Sequence, residues 1–593
     1  MTACLKTKNS PLPSSQVKPL GELAERLNRA AARLAWDDVY RPEWLLSDIT
    51  FACDPTPFHD WYTGREWTWY ADVSGRYLNA MASVAPFIGG IPDKGREIAD
   101  LVFKTQAADG HFGTDRPLDA CDRAQASGTA WMLLALPRYY TLTGDKRALQ
   151  AARRLAGWYA AVTPFWLRPD IRNEQFDKGD YGLLFSNFTH CLGGLATLYE
   201  VDPQPAYADL ALRIARSVKS FDTEIQSHHF ISTLRGLLHW YEITGEPFLL
   251  EKVLSEYKQI KSVGLLDTAG VAEVFDTPVK SGGAAAPHSS GGKTDEGCSE
   301  VDWVLINLKL HLVTGDHAYL ETAERAIFSH FFMNQAAMGG FGTWFGFHVP
   351  VGPMPAGAIG RYGEAYWCCS MHGTHGLTEI ARHVYTVATD GIHVNLFLGC
   401  DAQIPRDGGT VRLHQTGMGY PLTGEVDLAV ELSGVAATTL HIHLPRHSPL
   451  GSVVLDDRPM ALPAKSSDTL PVAVKGEGRH TLRLTFDLSL RCEPTLRPDV
   501  FGAKHSLWYG PMALGTNANP ATVSYRTDAA MLAGIKPKAC SRKGAFPSEM
   551  EFHIPATDAP GFAHTRDRHH VVFYPLAACG FRKLSYLQYL FQS

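Results

Sequence analysis

The chain has 593 residues, of which 45% are hydrophobic and 20% charged, so it can bury a large core and is expected to be a globular protein of several domains. Its formal net charge of -6 excludes the broad positive field that holds a nucleic-acid backbone or an anionic membrane. No stretch approaches the roughly 18 apolar residues of a membrane span. We therefore expect neither nucleic acid nor a membrane as a partner.

The 11 cysteines are odd in number, and Cys368 and Cys369 are adjacent, a spacing unsuited to an ordinary disulfide. Reduced thiols with a chemical task fit this pattern better, and they indicate a cytoplasmic location. The oligomeric state is left open, with a homodimer as one option.

The chain begins with a predicted flexible segment over residues 1–19. From residue 20 to 389 the apolar pattern is helical, and one module recurs: an apolar helix, a short turn, and a second apolar helix. In this module a glycine ends the first helix and an acidic residue caps the second. Because such helix pairs cannot bury their faces alone, we expect them to close into an (α/α)6 toroid, with an open solenoid as the alternative. The four copies surround Gly144, Asp202, Gly245 and Gly315.

From residue 390 to 593 the apolar period changes to two. Segments such as HTLRLTFDLSL alternate polar with apolar residues and are separated by Gly, Pro and Asp turns. This pattern predicts an antiparallel β-sandwich. The predicted fold is therefore a multidomain α+β protein, with a helical toroid followed by a sandwich.

Two short segments of the helical region carry the most specific signal. DEGCSEVDW contains Glu296 and Cys298, and YWCCSMHG contains Cys368 and Cys369. Together they offer three thiols and one carboxylate, a set that suits a borderline cation such as Zn²⁺. The alternative is that these cysteines are buried small hydrophobic residues.

Each of the two segments precedes an apolar helical run, so the four side chains are expected at helix N-termini, where backbone N–H groups and the macrodipole favour anions. Three thiolates and a carboxylate carry four negative charges, of which a divalent cation offsets two. One sulfur would then be electron-rich, and that sulfur is a candidate nucleophile.

The chain resembles family 127 of the glycoside hydrolases, the β-L-arabinofuranosidases and their relatives. The resemblance rests on the Glu-x-Cys and Cys-Cys motifs together with YADVSGRYLNA, THCLGGLATLYE, TDGIHVNLFLG and WYGPMALG. It implies a retaining glycosidase that releases a terminal furanose, β-L-arabinofuranoside or a similar sugar, from a carbohydrate or glycoside substrate. It further implies that Cys368 is the nucleophile and that Glu296, Cys298, Cys368 and Cys369 bind zinc.

A retaining mechanism also requires a carboxyl group that acts as general acid and then as general base. In the family a Gly-Glu-x-Phe segment supplies it, and the nearest match here, VAEVFDT, nominates Glu273. The family's Tyr-Asp-Leu-Pro-Asn-Asp stretch is missing, and SGGAAAPHSSGGK stands in its place. Glu300 and Glu364 are the alternatives for this role.

The resemblance also places His190 at a substrate-binding histidine, and His229 falls in a region where relatives contact the sugar. Trp344 is expected to supply an aromatic wall, since the C–H faces of sugars stack on rings. The alternative function is a non-hydrolytic protein on the same fold: a metal-dependent lyase or rearrangement enzyme, or a sugar-binding protein with a structural zinc.

Overall fold

The computed structural model describes most of the chain in a series of ranges. These are residues 7–50, 70–113, 115, 117–120, 123–171, 188–220, 225–275, 295–345, 361–464, 466–494, 505–516, 525–526, 532–539, 548–555, 557–558, 570–578, 587–588 and 590–591. The protein combines a helical part with β-sheets, as the change of apolar period predicts.

The described helices lie between residues 21 and 383. They are α1 (Gly21–Trp36), α2 (Pro42–Leu45), α3 (Ser47–Thr50), α4 (Asp72–Ile88), α5 (Asp93–Thr105), α6 (Arg123–Thr143), α7 (Lys146–Trp166), α8 (Cys191–Val201), α9 (Pro205–Ala215), α10 (Ser227–Thr244), α11 (Pro247–Val263), α12 (Gly297–Thr314), α13 (His317–Ala326) and α14 (Cys369–His383).

Six of these helices contact one another in a closed cycle: α4 packs on α6, and α8, α10, α12 and α14 follow in order, with α14 returning to α4. A second set, α5, α7, α9, α11 and α13, packs on the first five helices of the cycle, and α1 packs on α14. From α4 onward, every second helix along the chain therefore belongs to the inner cycle, which is why helices such as α12 are buried on nearly all sides.

Left-handed glycines end the inner helices as the repeated module predicts. Gly144, Gly245 and Gly315 have φ between 71° and 73°, a conformation that residues with a Cβ disfavour. Each donates its N–H to the carbonyl four residues earlier. Asp145 and Asp316 then cap α7 and α13 by accepting a backbone N–H.

The strands form mainly antiparallel sheets beyond the helices. They are β1 (Ser10–Pro11), β2 (Val17–Pro19), β3 (Ile225–Gln226), β4 (Val274–Phe275), β5 (Gly342–Phe345), β6 (Arg361–Glu364), β7 (Tyr385–Ala388), β8 (Gly391–Val394), β9 (Cys400–Arg406), β10 (Gly409–Gln415), β11 (Glu425–Ser433), β12 (Ala437–His443), β13 (Leu450–Leu455), β14 (Arg458–Pro459), β15 (Thr469–Lys475), β16 (Gly478–Phe486), β17 (Leu490–Pro494), β18 (His505–Tyr509), β19 (Met512–Thr516), β20 (Tyr525–Arg526), β21 (Lys538–Ala539), β22 (Met550–Pro555), β23 (Thr557–Asp558), β24 (His570–Pro575), β25 (Leu587–Gln588) and β26 (Leu590–Phe591).

Three larger sheets follow from the pairing of these strands. The first has the order β1-β7-β8-β12-β15, and the second β14-β13-β16-β11-β10-β9-β2. The third contains β17-β18-β19-β24-β22-β21, with β25 and β26 paired to β19 and β18. Along β11 and β15 buried and outward residues alternate, as period-two sequences predict.

The prediction of a flexible segment over residues 1–19 is wrong for the part that forms β1 and β2. Ser10 pairs with Val387 in β7, and Val17 pairs with Ala402 in β9, so β1 and β2 become edge strands of the first two sheets. Leu12 and Val17 are buried and supply the apolar contact that holds the segment. Strands of two and three residues are too short to show a period, which explains the error.

Two further observations concern the described helices and cysteines. Of the helices in the described ranges, none combines the length and the apolar content needed to cross a membrane. None of the six described cysteines forms a disulfide: Cys191, Cys298, Cys368, Cys369, Cys400 and Cys492.

The closest helix contact of the inner cycle predicts a stability difference between two glycines. A Cβ at Gly75 in α4 would lie 2.5 Å from the backbone N of Met132 in α6, whereas a Cβ at Gly157 in α7 would meet nothing within 4 Å. We expect Gly75→Ala to destabilise the protein by about 1–3 kcal/mol through overpacking. Gly157→Ala should be neutral or stabilise by up to about 1 kcal/mol through helix propensity. Thermal unfolding of both variants checks this, and equal melting temperatures would contradict the close packing of α4 on α6.

Candidate metal centre and active site

The structure brings Glu296, Cys298, Cys368 and Cys369 together at two helix N-termini. Glu296 immediately precedes α12, and Cys298 is the second residue of that helix. Cys368 precedes α14, and Cys369 is its first residue. One ligand atom from each residue lies within 4.8 Å of the others. The four side chains can therefore surround one ion.

The spacing of the sulfurs suits a tetrahedral zinc. The Sγ of Cys369 lies 3.6 Å from the Sγ of Cys298 and 3.6 Å from the Sγ of Cys368. Two thiolates bound to one tetrahedral Zn²⁺ at its usual bond length are about 3.8 Å apart. Three thiols and a carboxylate are also ligand types that zinc accepts. The residues present thus fit a zinc ion by both chemistry and distance.

Gly297 lets the two helix N-termini approach. A Cβ at this position would lie 2.7 Å from the carbonyl oxygen of Gly342 in β5 and 3.0 Å from the Cβ of Cys369. Any other residue would push α12 away from α14 or from β5. The glycine between Glu296 and Cys298 is therefore required by the closeness of the cluster.

The three thiols differ in accessibility. Cys298 and Cys369 are fully buried, with 0% of their surface exposed, whereas Cys368 is 9% exposed. Burial raises the pKa of Cys298 and Cys369 well above the ordinary thiol value. Hydrogen bonds from these two thiols hold the pKa of Cys368 well below it. Cys368 is thus the thiol of the cluster best placed to meet a substrate as a thiolate.

Polar side chains behind the cluster orient its carboxylate. The side chain of Gln226, just before α10, donates to Glu296, and Ser299 Oγ lies 3.1 Å from Glu296 Oε2. Ser227 Oγ lies 2.7 Å from Ser299 Oγ and 2.8 Å from the carbonyl oxygen of Glu273. Such outer contacts fix the direction of metal-ligating groups.

Glu273 is held beside this layer by a short strand pair. Val274 in β4 pairs with Gln226 in β3, and the carbonyl oxygen of Glu273 accepts the N–H of Ser227 at 2.8 Å. Glu273 immediately precedes Val274, the strand partner of Gln226. The side chain of Gln226 in turn contacts Glu296. The structure thereby connects the backbone of the nominated acid to the metal-ligand cluster through Ser227 and Gln226.

The two alternative carboxylates are already engaged. Glu364 accepts two hydrogen bonds from Arg33, at 3.1 and 2.8 Å, and one from Ser370 at 3.1 Å. Glu300 is fully buried and accepts the backbone N–H of Val271 at 2.9 Å. Burial raises the pKa of Glu300 to about 8. These surroundings give both residues structural contacts of their own.

A cation borders the sulfur cluster. Nη1 of Arg76 in α4 lies 3.7 Å from the Sγ of Cys298, and Nε of Arg76 donates to Asp72 at 3.0 Å. The guanidinium also lies 4.0 Å above the ring of Trp131 and 3.2 Å from Nε2 of His228. Its charge offsets part of the negative charge that the thiols and carboxylate would carry around a divalent ion.

Asp302 organises a second buried layer. Its carboxylate contacts His228, whose Nδ1 lies 2.5 Å away, His372, whose Nε2 lies 3.0 Å away, and the guanidinium of Arg235. Although burial alone raises the pKa of Asp302, His372, Arg235 and His228 lower it well below its usual range. Asp302 is therefore a buried anion that fixes two imidazoles.

This layer was not predicted from the sequence, where His229 was nominated as a sugar contact and His228 was given no role. The residue spacing offered one indication of this layer. Asp302 follows Cys298 by four residues and His372 follows Cys368 by four, so each lies about one helical turn after a cysteine of the cluster. Arg76 follows Asp72 with the same spacing.

Two of the predicted sugar contacts lie beside Arg76 and His228. His190 is buried, with its ring centroid 5.0 Å from that of Trp131 and its Nε2 2.6 Å from Ser232 Oγ. The ring of His229 lies 5.2 Å from that of His190. Burial lowers the pKa of both histidines well below the ordinary value, so both are neutral. Trp344 lies opposite Tyr362 in the β5–β6 pair, and its side chain falls outside the part of the chain that the structure describes.

The candidate site lies within a part of the chain that matches a known catalytic domain. The model of the β-L-arabinofuranosidase GH127 catalytic domain matches residues 91–382, which contain all four clustered side chains. No curated protein gives a significant sequence match.

Solved structures of full length share the fold. A GH127 β-arabinofuranosidase is 15% identical with a TM-score of 0.71, covering 99% of this chain and 98% of that one. A GH127 β-L-arabinofuranosidase from Geobacillus stearothermophilus T6 is 14% identical with a TM-score of 0.71, covering 96% and 99%. A third structure, a glycoside hydrolase, is 15% identical with a TM-score of 0.68, covering 98% of each chain.

The catalytic-domain match and a site of thiols, carboxylates and neutral histidines define a glycoside hydrolase. More narrowly, residues 91–382 belong to the GH127 β-L-arabinofuranosidase catalytic-domain family.

The buried layer around Asp302 predicts a large stability effect. Asp302→Asn removes the anion that faces Arg235 and the two imidazoles, and breaking a buried ion pair in this way costs about 3–5 kcal/mol. Asp468→Asn is the matched control, since its pair with Arg446 is exposed and should contribute no more than about 1 kcal/mol. Thermal and urea unfolding report both values. If Asp302→Asn lowers the free energy of unfolding as little as the control does, the charge of Asp302 does not balance that of Arg235.

Proposed function

We propose that the chain is a retaining glycosidase that releases a terminal furanose, a β-L-arabinofuranoside or a similar sugar, with Cys368 as its nucleophile. The observation that carries the proposal is the gathering of Glu296, Cys298, Cys368 and Cys369 within 4.8 Å, with Cys368 the one thiol of the three that is not completely buried. The names of the similar structures, β-arabinofuranosidases of GH127, support the furanose as substrate.

We propose zinc as the ion, bound by Glu296, Cys298, Cys368 and Cys369. When bound, zinc supplies positive charge that keeps a coordinated thiol deprotonated at neutral pH. The sulfur spacing of 3.6 Å and the ligand types support this assignment.

In the proposed first step the sulfur of Cys368 attacks the anomeric carbon, and the bond from that carbon to the leaving oxygen breaks. Glu273 donates a proton to the leaving oxygen, and a thioglycosyl group remains on Cys368. In the second step the Glu273 carboxylate takes a proton from water, whose oxygen attacks the anomeric carbon while the carbon–sulfur bond breaks. Cys368 returns as thiolate and Glu273 as acid, so both residues are ready for another turnover.

The neutral histidines would bind the sugar. His190 and His229 can each donate or accept a hydrogen bond to a hydroxyl group, and their neutrality suits an uncharged substrate. Arg76 would limit the net negative charge beside the nucleophile, which otherwise repels the electron-rich sugar oxygens. Trp344 is proposed as an aromatic wall on the strength of the sequence alone.

The architecture is proposed to be an (α/α)6 toroid over residues 20–389 and a β-sandwich over residues 390–593. The closed cycle of six inner helices, each with an outer partner, supports the toroid, and the alternating burial along β11 and β15 supports the sandwich. Because β2 pairs with β9, β7 pairs with β8, and β1 pairs with β7, the sheets also include segments that precede residue 390. A cytoplasmic location and a homodimer stay predictions.

The metal assignment predicts about one zinc per chain in protein purified without chelator. Cys298→Ser and Cys369→Ser should lose most of the zinc, and Gln226→Ala, which removes an outer contact to Glu296, should weaken zinc affinity by about 10–100-fold. Cys191→Ser is the control, because Cys191 is buried elsewhere and should leave the zinc content unchanged. Elemental analysis by mass spectrometry measures all four. A zinc content independent of Cys298 and Cys369 would overturn the site.

With an aryl β-L-arabinofuranoside as substrate, the catalytic assignment predicts different defects in a variant of the nucleophile and a variant of the general acid. Cys368→Ser should bind zinc less tightly and form no covalent adduct. Glu273→Gln should retain zinc and lose at least about 100-fold in kcat on a substrate with a poor leaving group. Glu97→Gln on α5 is the surface control, with unchanged kinetics expected.

Intact-protein mass spectrometry of Glu273→Gln with an activated substrate should show one glycosyl group, and peptide mapping should place it on Cys368. Normal turnover by Glu273→Gln would reject that residue as the acid. Bound zinc with neither adduct nor turnover on aryl furanosides and pyranosides would favour the non-hydrolytic alternative.

A further inference from the structure

A cavity of about 780 Å³ extends along the inside of the helical cycle, away from the metal-ligand cluster. It begins under Trp131, His190 and His372 and continues between the C-terminal halves of the inner helices. Ser10, Pro11 and their neighbours in the N-terminal segment contribute its far wall. Its volume falls in the range of small-molecule sites, and the proposed glycosidase steps make no use of its far end.

Most charges that line this cavity are paired with one another. Lys309 pairs with Glu242, and Arg382 donates to Glu379 at 2.8 Å. Glu200 contacts His239 at 2.9 Å. Arg235, at the upper end, is paired with Asp302 of the buried layer. These contacts leave one guanidinium to consider.

Arg138 in α6 lines the cavity without an ion-pair partner. Its Nη1 donates to Asn79 Oδ1 at 2.7 Å and lies 3.3 Å from Nε2 of His375. Among the described residues no carboxylate lies within salt-bridge distance, and Nε and Nη2 donate to none of them. Burial lowers the pKa of Arg138 to about 10, the direction expected for a cation without a paired anion.

The free Nε–Nη2 edge is the side of a guanidinium that binds a carboxylate through two parallel hydrogen bonds. The two nearby carboxylates, Glu379 and Glu200, are matched by two nearby cations, Arg235 and Arg382. The charge of Arg138 itself is therefore the one left to balance, and a ligand with a single negative charge suits it. Ser83, Thr141 and Ser232 also line the cavity, so a ligand with several hydroxyl groups would find hydrogen-bonding partners.

We propose that this cavity binds a hydroxylated monocarboxylate of the sugar-acid class, held through the Nε–Nη2 edge of Arg138. None of Glu296, Cys298, Cys368 and Cys369 lines this cavity. His190 lines its near end, and Arg138 lies seven residues beyond Trp131 in α6, a rise of about 10 Å along the helix axis. The proposed ligand is therefore distinct from the glycosidase substrate, and the test includes a competition that separates the two proposals.

Calorimetric titration of the full chain with D-glucuronate, D-glucose and inorganic phosphate tests the proposal. Glucuronate is expected to bind once per chain, at least tenfold more tightly than glucose or phosphate. Arg138→Lys keeps the positive charge but cannot form the two parallel hydrogen bonds of the Nε–Nη2 edge, so it should weaken glucuronate binding at least tenfold. Arg138→Gln removes the charge as well and should abolish binding. Arg154→Gln is the control, an exposed arginine of the neighbouring helix α7, and should bind as the original chain does.

Three results would overturn the proposal: glucuronate binding that survives in Arg138→Gln, phosphate or glucose binding as tightly as glucuronate, and displacement of glucuronate by an arabinofuranoside. The third would place the acid in the metal centre instead. Circular dichroism establishes that each variant is folded. Should the Arg138 variants unfold, crystals of the original chain soaked in glucuronate decide the matter: density on the guanidinium of Arg138 supports the proposal, and its absence there rejects it.

Discussion

The close approach of three sulfurs and a carboxylate at the joined ends of α12 and α14 is the constraint on which the rest of the site depends. Thiols this close repel one another as soon as they ionise, and only a cation or a retained proton relieves that repulsion. The two helix N-termini contribute partial positive charge from unpaired backbone N–H groups. Gly297 makes the geometry sterically attainable, and Arg76 adds a full positive charge at one side.

The surroundings of this cluster are arranged in layers. Gln226, Ser227 and Ser299 connect Glu296 to the backbone of Glu273, so the short β3–β4 pair lies beside both residues. Asp302, one turn further into α12, holds His228 and His372 in place. The predicted sugar contacts His190 and His229 both pack against the ring of His228, which Asp302 holds in place.

Much of this could be predicted from the sequence, because the signals were local. The helix–turn–helix modules were recognisable from the left-handed glycines near Gly144, Gly245 and Gly315, and the change of period located the sheets. The four clustered residues stood out because adjacent cysteines are chemically unusual. By contrast, β1 and β2 depend on pairing with residues almost 400 positions away, which no local pattern encodes.

The buried layer was missed for a related reason. His228 and His229 are adjacent, and a step of one residue rotates a helical side chain by about 100°. The choice between them depends on where Asp302 lies in the folded chain, not on the residue type. Arg138 likewise becomes distinctive only when the carboxylates around it are found to be paired with other cations.

The pairing of Ser10 with Val387 has a consequence for biosynthesis. A ribosome delivers the first strand long before its partner exists, so this end of the polypeptide must wait until roughly two thirds of the chain has emerged. The N-terminal segment that lines the far end of the cavity is therefore positioned late in folding, and a product truncated before Val387 would lack the strand that holds it there.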